Sequence, residues 1–507
     1  MKPLFPLRPV VIAAILSLGA PLAHGSSVVN STGDGGLVYG GKYGCESDLL
    51  RGGVCTLRAA IEYANLNADT DTITFNIPGS APYTINLGSA LPDLSTDMNI
   101  TGPGAKVVTV QGGGASIRIF NVTTTGAVGI SGLTIASGGS GGVRNGNGGT
   151  VNLSNCTVRN NDADGVFNFA GIMFINNCTV SDNVALGGSG AGINNAGRMT
   201  VTGSTVRRNL ATFGGGGIVN TGNLTMTKCT VADNRLVADP DDPTIIDVHG
   251  GGILSIGTLT LSNCNISGNS ARGRDGQKDD PRAGEAGGGG IAIADETTPA
   301  TLTMTNCTVF GNSAEGGNNL YRYLGGAAFG GGVFVSIDVA GSAINLSNST
   351  IYGNSAVSGY SIAVSPSQGG GIYGSGTVLK STLIARNSAT TSGPDVFGSF
   401  VSRGFNLIER KDGSTGFTAA TDLKGTINSP LDPKLGPLQN NGGATQTMAL
   451  LPGSPAIDKG TSVTLAGTTL TTDQRGTGFP RKFDNSSIVN ATGGDGTDIG
   501  AFERQAP

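Results

Sequence analysis

A short pattern recurs along the middle of the chain and constrains its fold more than any other feature. It reads LTMTKCTVADN at Leu224–Asn234, LTLSNCNISGN at Leu259–Asn269, LTMTNCTVFGN at Leu302–Asn312 and INLSNSTIYGN at Ile344–Asn354. Blurred copies are VNLSNCTVRNN at Val151–Asn161, FINNCTVSDN at Phe174–Asn183 and MTVTGSTVRRN at Met199–Asn209, and KSTLIARN at Lys380–Asn387 carries one extra residue. A glycine element alternates with it: GGGGI at 214–218, GGGI at 250–253, GGGGI at 287–291, GGGV at 330–333 and GGGI at 369–372.

Within a copy the apolar residues alternate, as they do on one face of a strand. Leu259 and Leu261 keep one phase, Ser262-Asn263 shifts it, and Cys264 and Ile266 take up the next. The shift predicts a bend between two short strands. Ile253 and Ser255, after the glycines, form a third. Three short strands per repeat describe a coiling chain, and one coil cannot bury its apolar face alone, so coils stack. The expected fold is all-β: a single-stranded right-handed parallel β-helix (solenoid) over 80–400, its hand set by the usual crossover preference. A leader is expected over 1–25, a cap with a short helix over 26–79, and a β-rich segment over 401–507. About a dozen coils at ~4.8 Å each make a rod of roughly 55–60 Å.

Stacking explains two columns of residues. Cys156, Cys178, Ser204, Cys229, Cys264, Cys307, Ser349 and Ser381 share one position. A buried thiol acts as a small hydrophobe. A straight column suits neither tetrahedral zinc nor disulfide geometry, so free thiols are expected. Asn161, Asn183, Asn209, Asn234, Asn269, Asn312, Asn354 and Asn387 form the second column. They are expected to occupy left-handed bends and to bond the next coil.

Composition agrees. Gly is 86 of 507 residues, more than twice the usual ~7%, which is costly inside helices. Net charge is −4, so nothing suggests phosphate neutralisation and nucleic acid is not an expected partner. Residues 1–25 read as an export signal: Lys2 and Arg8, a short apolar run from Val10 to Leu18, then Ala23-His24-Gly25. No apolar run is long enough for an integral membrane span. Cys45 and Cys55 lie close together near the expected mature N-terminus and are expected to pair after export.

Repeat length is not constant. It grows from 22 residues between Cys156 and Cys178 to 43 between Cys264 and Cys307. Most of the growth falls after the ladder Asn, in consecutive coils, so the inserted loops 235–249, 270–286, 313–329 and 355–368 should lie side by side on one flank. They gather charge and tyrosine in a chain poor in both. The candidate ligand face is Asp241, Asp242, His249, Arg272, Arg274, Asp275, Asp279, Asp280, Arg282, Tyr321, Arg322, Tyr323 and Tyr360. Long loops on a rigid scaffold are where binding usually resides. The competing reading is disordered, solvated tips.

No catalytic set stands out. Asp241-Asp242 and Asp279-Asp280 are consecutive pairs before Pro243 and Pro281, a turn context, whereas glycoside hydrolysis needs carboxylates converging on one cleft. His249 is the one histidine after the leader, which leaves no other for a triad. Trp is absent, which argues against aromatic sugar platforms. Oxygen ligands suit Ca2+ if any metal. GGDGTD at Gly493–Asp498 fits the start of a calcium nonapeptide, but it occurs once. No cofactor is expected.

Three resemblances follow. CTLRAAIEYAN at Cys55–Asn65 with DTITFNIPG at Asp71–Gly79 resembles the CSLREA domain; Thr56 can cap a helix whose Leu57, Ala60, Ile61 and Ala64 share one face. Such a helix would plug the open first coil. LGPLQNNGGATQTMALLPGSPAIDKG at Leu435–Gly460, TDQRG at Thr472–Gly476 and DIGAFE at Asp498–Glu503 resemble the choice-of-anchor Q domain. The repeats are similar to those of polymorphic outer membrane proteins, adhesin-like passengers on the pectin-lyase-like β-helix. These resemblances imply a secreted or surface-displayed bacterial protein. The leading expectation is adhesin-like binding of an extracellular glycan or host or cell-surface ligand through the stacked loops. The alternatives are a polysaccharide lyase or glycoside hydrolase, and a structural envelope component.

Overall fold

The computed structural model describes residues 26–38, 44–48, 53–66, 70–114, 116–242, 247–294, 297–321 and 324–505. The expected leader, Arg322 and Tyr323 lie outside the described residues. The repeats coil into a parallel β-helix with three main strands per turn. Ile253–Ser255 lies in the third sheet, Thr258–Ser262 in the first and Asn265–Ser267 in the second. Each pairs in parallel with its counterpart one turn on: Ile253 with Ile291, Leu259 with Leu302, Ile266 with Val309. All six of these side chains are fully buried, each worth about 1.5–3 kcal/mol of apolar transfer. The second sheet has 13 strands, from Tyr83–Asn86 to Leu423–Lys424. At ~4.8 Å per spacing the rod is roughly 55–60 Å long. Val396–Ser402 bends from the third sheet into the first and joins them.

The phase shift between the first and second strands is a corner built on one residue. Asn155, Asn177, Lys228, Asn263, Asn306 and Asn348 hold φ between 47° and 55° there, the left-handed region that asparagine tolerates better than most side chains. Ser381 has φ 52° and belongs to this corner column. It is therefore not in the thiol column, as the sequence had suggested. Leu383 pairs with Thr350, so the extra residue places Thr382 in the column instead. Thr382 Oγ1 donates to the Lys380 carbonyl at 3.1 Å, as Ser349 Oγ does to Ser347 at 2.8 Å.

The five remaining cysteines are buried and free. The amide column differs from expectation in one respect. Its asparagines are not the left-handed residues; that conformation sits one position earlier, at Asn160, Asp182, Arg208 and Asp233. What the column contributes is bonding. Asn234 Nδ2 donates to Asn269 Oδ1 at 2.9 Å, and Asn269 Nδ2 to Asn312 Oδ1 at 2.9 Å. Each Oδ1 also takes a backbone N–H, as from Asn234 to Asn269 at 3.0 Å. A second column, absent from the sequence reading, runs through Asn145, Asn168, Asn195, Asn220 and Ser255.

The helix Leu57–Ala64 is capped by Thr56, whose side chain accepts from the Ala59 N–H. Its buried Leu57, Ala60, Ile61 and Ala64 join the same core as Val29 and Ile73 of the first turns. Cys45 is bonded to Cys55 just before it. At the other end the expected β-rich segment is mostly irregular: among the described residues beyond 430 its strands are Leu435–Gln439 and Thr447–Leu450 alone. Its first part still adds to the coil, with Leu407–Ile408 and Leu423–Lys424 joining the second sheet, and the rest folds back along the outside of the corner column. Asn263 Nδ2 donates to the Asp473 and Gln474 carbonyls, Asn306 Nδ2 to Thr472, and Asn348 Nδ2 to Thr461. Among the described residues no helix is long and apolar enough to cross a membrane.

Candidate functional site

The four inserted loops emerge together and are ordered at their base. Arg235–Val237, Ser270–Arg272, Ser313–Glu315 and Ser355–Val357 stack as one parallel sheet, and Val248–His249, Ala286–Gly287, Ala328–Phe329 and Ser367–Gln368 as another. Small residues allow it: Ala211, Leu236, Ala271, Ala314 and Ala356 pair in register and form a second, narrow core. Among the described residues the result is a lateral wing of short stacked strands.

Most of the charge proposed for binding is spent inside the wing. Arg272 pairs with Asp275 at 2.7 Å. Arg274 is buried and pairs with Asp280 at 2.5 Å, and Arg282 binds the same carboxylate at 2.7 Å. These contacts, Arg282 first, hold the Asp280 carboxyl well below the usual range. Asp275 Oδ1 accepts from the Asn318 N–H, and Asn318 Oδ1 from the Tyr360 N–H, so three successive tips are laced together. Tyr321 and Tyr360 meet at a cavity of about 420 Å³ with Asp275 and Leu320. Asp279 and Asp241 are exposed and Asp242 is half-buried. The two consecutive aspartate pairs do not converge. Asp241 turns its N–H to Asp239, while Asp280 is locked by arginine.

His249 is the exception, because it faces the main helix. Its ring stacks on Phe334 at 5.0 Å and 18°. Phe334 stacks on Tyr373 at 5.6 Å, and Tyr373 on Phe397 at 5.7 Å and 1°. Phe329 leans over Tyr373 at 4.7 Å. The rings of Phe334, Tyr373 and Phe397 occupy in-register outward positions of the third sheet. His249 and Phe329 come from the wing. Together they meet along a shallow groove-like seam between wing and helix, in which Phe334 is buried and His249, Phe329, Tyr373 and Phe397 are half-buried. A cavity of about 260 Å³ opens at one end beside Tyr373, Phe397, Ser375 and Asp338.

Sequence reasoning missed this aromatic row by looking for tryptophan. The signal was present one residue after Val333 and Ile372, the buried ends of the last two glycine elements, and after Val396 in the turn that follows: Phe334, Tyr373 and Phe397. Near the groove edge, the Glu285 N–H donates to Asp247 Oδ1 at 2.7 Å. Burial, and then the charge of Asp247, raises the Glu285 carboxyl, while burial lowers His249 and keeps its imidazole neutral.

The motifs of the C-terminal segment are structural. Arg475 pairs with Asp473 at 2.7 Å, lies 3.9 Å from the ring centroids of both Phe479 and Phe502, and donates to the Glu503 carbonyl. Asp495 accepts from Ser462, and Asp498 from the Asp458 and Arg504 N–H groups. Among the described residues no cluster of three or more His, Cys, Asp or Glu is placed to hold a metal.

A family model described as "Right handed beta helix region" matches residues 118–278. Among solved structures, "Crystal structure of pectate lyase Pel9A" is similar with a TM-score of 0.39 and 14% identity, over 95% of this chain and 98% of that one. No curated protein matches. The matched region and the continuous parallel sheets on either side of it make this chain a right-handed parallel β-helix.

Proposed function

We propose that this chain is an exported, surface-acting binding protein that holds a glycan chain in the groove between the wing and the third sheet. The observation that carries the reading is the in-register aromatic row Phe334, Tyr373 and Phe397, flanked by His249 and Phe329. Because the rings stack on one another, they present a continuous apolar strip of ring edges on which the C–H faces of sugars can pack, and a rigid row limits the entropy lost on binding. Strand spacing of ~4.8 Å repeats these rings at the scale of a sugar unit. The adhesin-like part of the reading, the cell-surface location and the wing tips as a second contact rest on the resemblances of the repeats and of both end segments. A glycan array and a cell-binding assay test it. Binding should be lost in Tyr373→Ala/Phe397→Ala; full retention in that variant rules out the groove.

The second reading is a polysaccharide lyase or hydrolase. It is favoured by the neutral His249 beside Asp247 and Glu285 at the groove edge, groups of the kind that move protons in such reactions. Release of reducing ends, or absorbance from unsaturated uronides, across a polyuronate panel would establish it. A silent panel with sugar binding retained would leave the binding protein.

A further inference from the structure

The wing ends abruptly. Its last loop, 355–368, rests on the loop before it: the Gly359 N–H donates to the Gly326 carbonyl at 3.0 Å, the Asn319 N–H to the Tyr360 carbonyl at 2.8 Å, and Ala363 bridges Leu324. The turn that follows reaches only the base of this loop, where Ser388–Ala389 pairs with Ser355 and Ala356, and Ser392 bridges Gln368. The stretch 357–366 therefore has no further wing loop stacked on it.

Along this stretch exposure alternates. Tyr360, Ile362 and Val364 are 72%, 75% and 74% exposed, while Ser361 and Ala363 between them are half-buried, which is the period of a strand face. Leu320 and Tyr321 of the preceding tip join Tyr360 at the 420 Å³ cavity, and Leu324 lies beside Ala363; these three are 55–69% exposed. Together the six side chains expose on the order of 800 Å², at ~150–250 Å² for a whole aromatic side chain and somewhat less for an aliphatic one. The largest apolar patch on an ordinary monomer is ~300–600 Å², and a stable pair of proteins buries ~800 Å² on each side.

Loop 355–368 also holds no Asp, Glu, Lys, Arg or His, unlike loops 235–249 and 270–286. Exposed edges are ordinarily guarded by charge. A charge-free loop offers no attraction to a charged partner, and no basic residue to hold it against anionic lipid headgroups. Two copies can meet there without like-charge repulsion, and a two-fold axis sets the same strand against itself in antiparallel sense.

We infer that this face joins two copies of the chain, wing to wing, about a two-fold axis. The inference uses no residue of the aromatic row and stands or falls apart from the binding reading.

Sedimentation velocity on the purified chain, across a concentration series, should show a species of twice the chain mass that dissociates on dilution. Tyr360→Asp/Ile362→Asp should weaken the pair about hundredfold or more. Leu186→Asp/Phe213→Asp, which alters exposed apolar residues of two earlier turns, should leave it unchanged. An unaltered urea midpoint shows that each variant folds. Ile362→Cys serves if the aspartate variant does not: the native thiols are buried or bonded, so a short bis-maleimide should link two copies through this position. A wild type that is monomeric at every concentration overturns the inference, and so does a dimer that persists in folded Tyr360→Asp/Ile362→Asp or an absence of linkage at position 362. Monomers that co-sediment with phosphatidylglycerol vesicles would also overturn it, and would assign the face to a lipid surface.

Discussion

Asn269 shows how much one side chain does in this architecture. Its Nδ2 donates to Asn312 Oδ1 and to the Val231 carbonyl, and its Oδ1 receives both the side chain and the backbone N–H of Asn234. Asn269→Ala would leave several buried groups unpaired, at about 1–3 kcal/mol each in part-compensated form. We expect a loss of about 2–4 kcal/mol, read as a lower urea midpoint. Cys264→Ser should cost less than about 1.5 kcal/mol, because Ser204 and Ser349 already fill that column and donate to a carbonyl two residues back. The five column thiols are buried, and burial drives Cys264 well above the ordinary thiol value. Ellman's reagent should therefore label none of them before denaturation and all five after it. Both columns were legible in the sequence because an in-register stack repeats each environment every turn. The exchange of Ser381 for Thr382 was not, since a single inserted residue shifts a register that only pairing reveals.

At the scale of elements the wing is the informative case. Its one-sided emergence followed from where the insertions fall, as consecutive turns must present the same bend on the same flank. Its internal order did not follow, because the strands are two or three residues long and their apolar column is mainly alanine, too weak a pattern to read. That column is tight. Ala314→Leu should force the neighbouring turns apart and cost about 1–3 kcal/mol, seen as earlier proteolysis of the loops 270–286 and 313–329 ahead of global unfolding. The charged side chains that marked these loops in the sequence turned out to pair with each other. Sequence alone identifies a charge but not whether its neighbour neutralises it, and Arg274 with Asp280 is such a case.

For the whole molecule, the C-terminal segment decides what covers the corner flank of the rod, which it clasps through Asn263, Asn306 and Asn348. Burial, and then the charge of Asp498, pushes the Glu503 carboxyl up to about 9, and burial takes Asp498 to about 6. Unfolded carboxyls titrate near ~4. Both values are raised in the folded state, so the folded segment binds more protons than the unfolded one between those limits. Their contribution to stability is full below about pH 4 and is lost as pH rises, through about 6 for Asp498 and about 9 for Glu503. Limited proteolysis should release the segment faster at about pH 9.5 than at about pH 5, and Glu503→Gln should flatten that difference. Equal rates in the wild type at both pH values would show that these carboxyls do not control the clasp.

Coil, core and columns were within reach of the sequence by itself, because each turn contacts only its neighbours and nearest-neighbour order leaves a periodic trace in the chain. The aromatic groove, the pairing of the wing charges and the fold-back of the C-terminal segment belong to the tertiary structure. They join outward side chains, or residues as distant as Asn263 and Asp473, and contacts at such separation have no period to betray them.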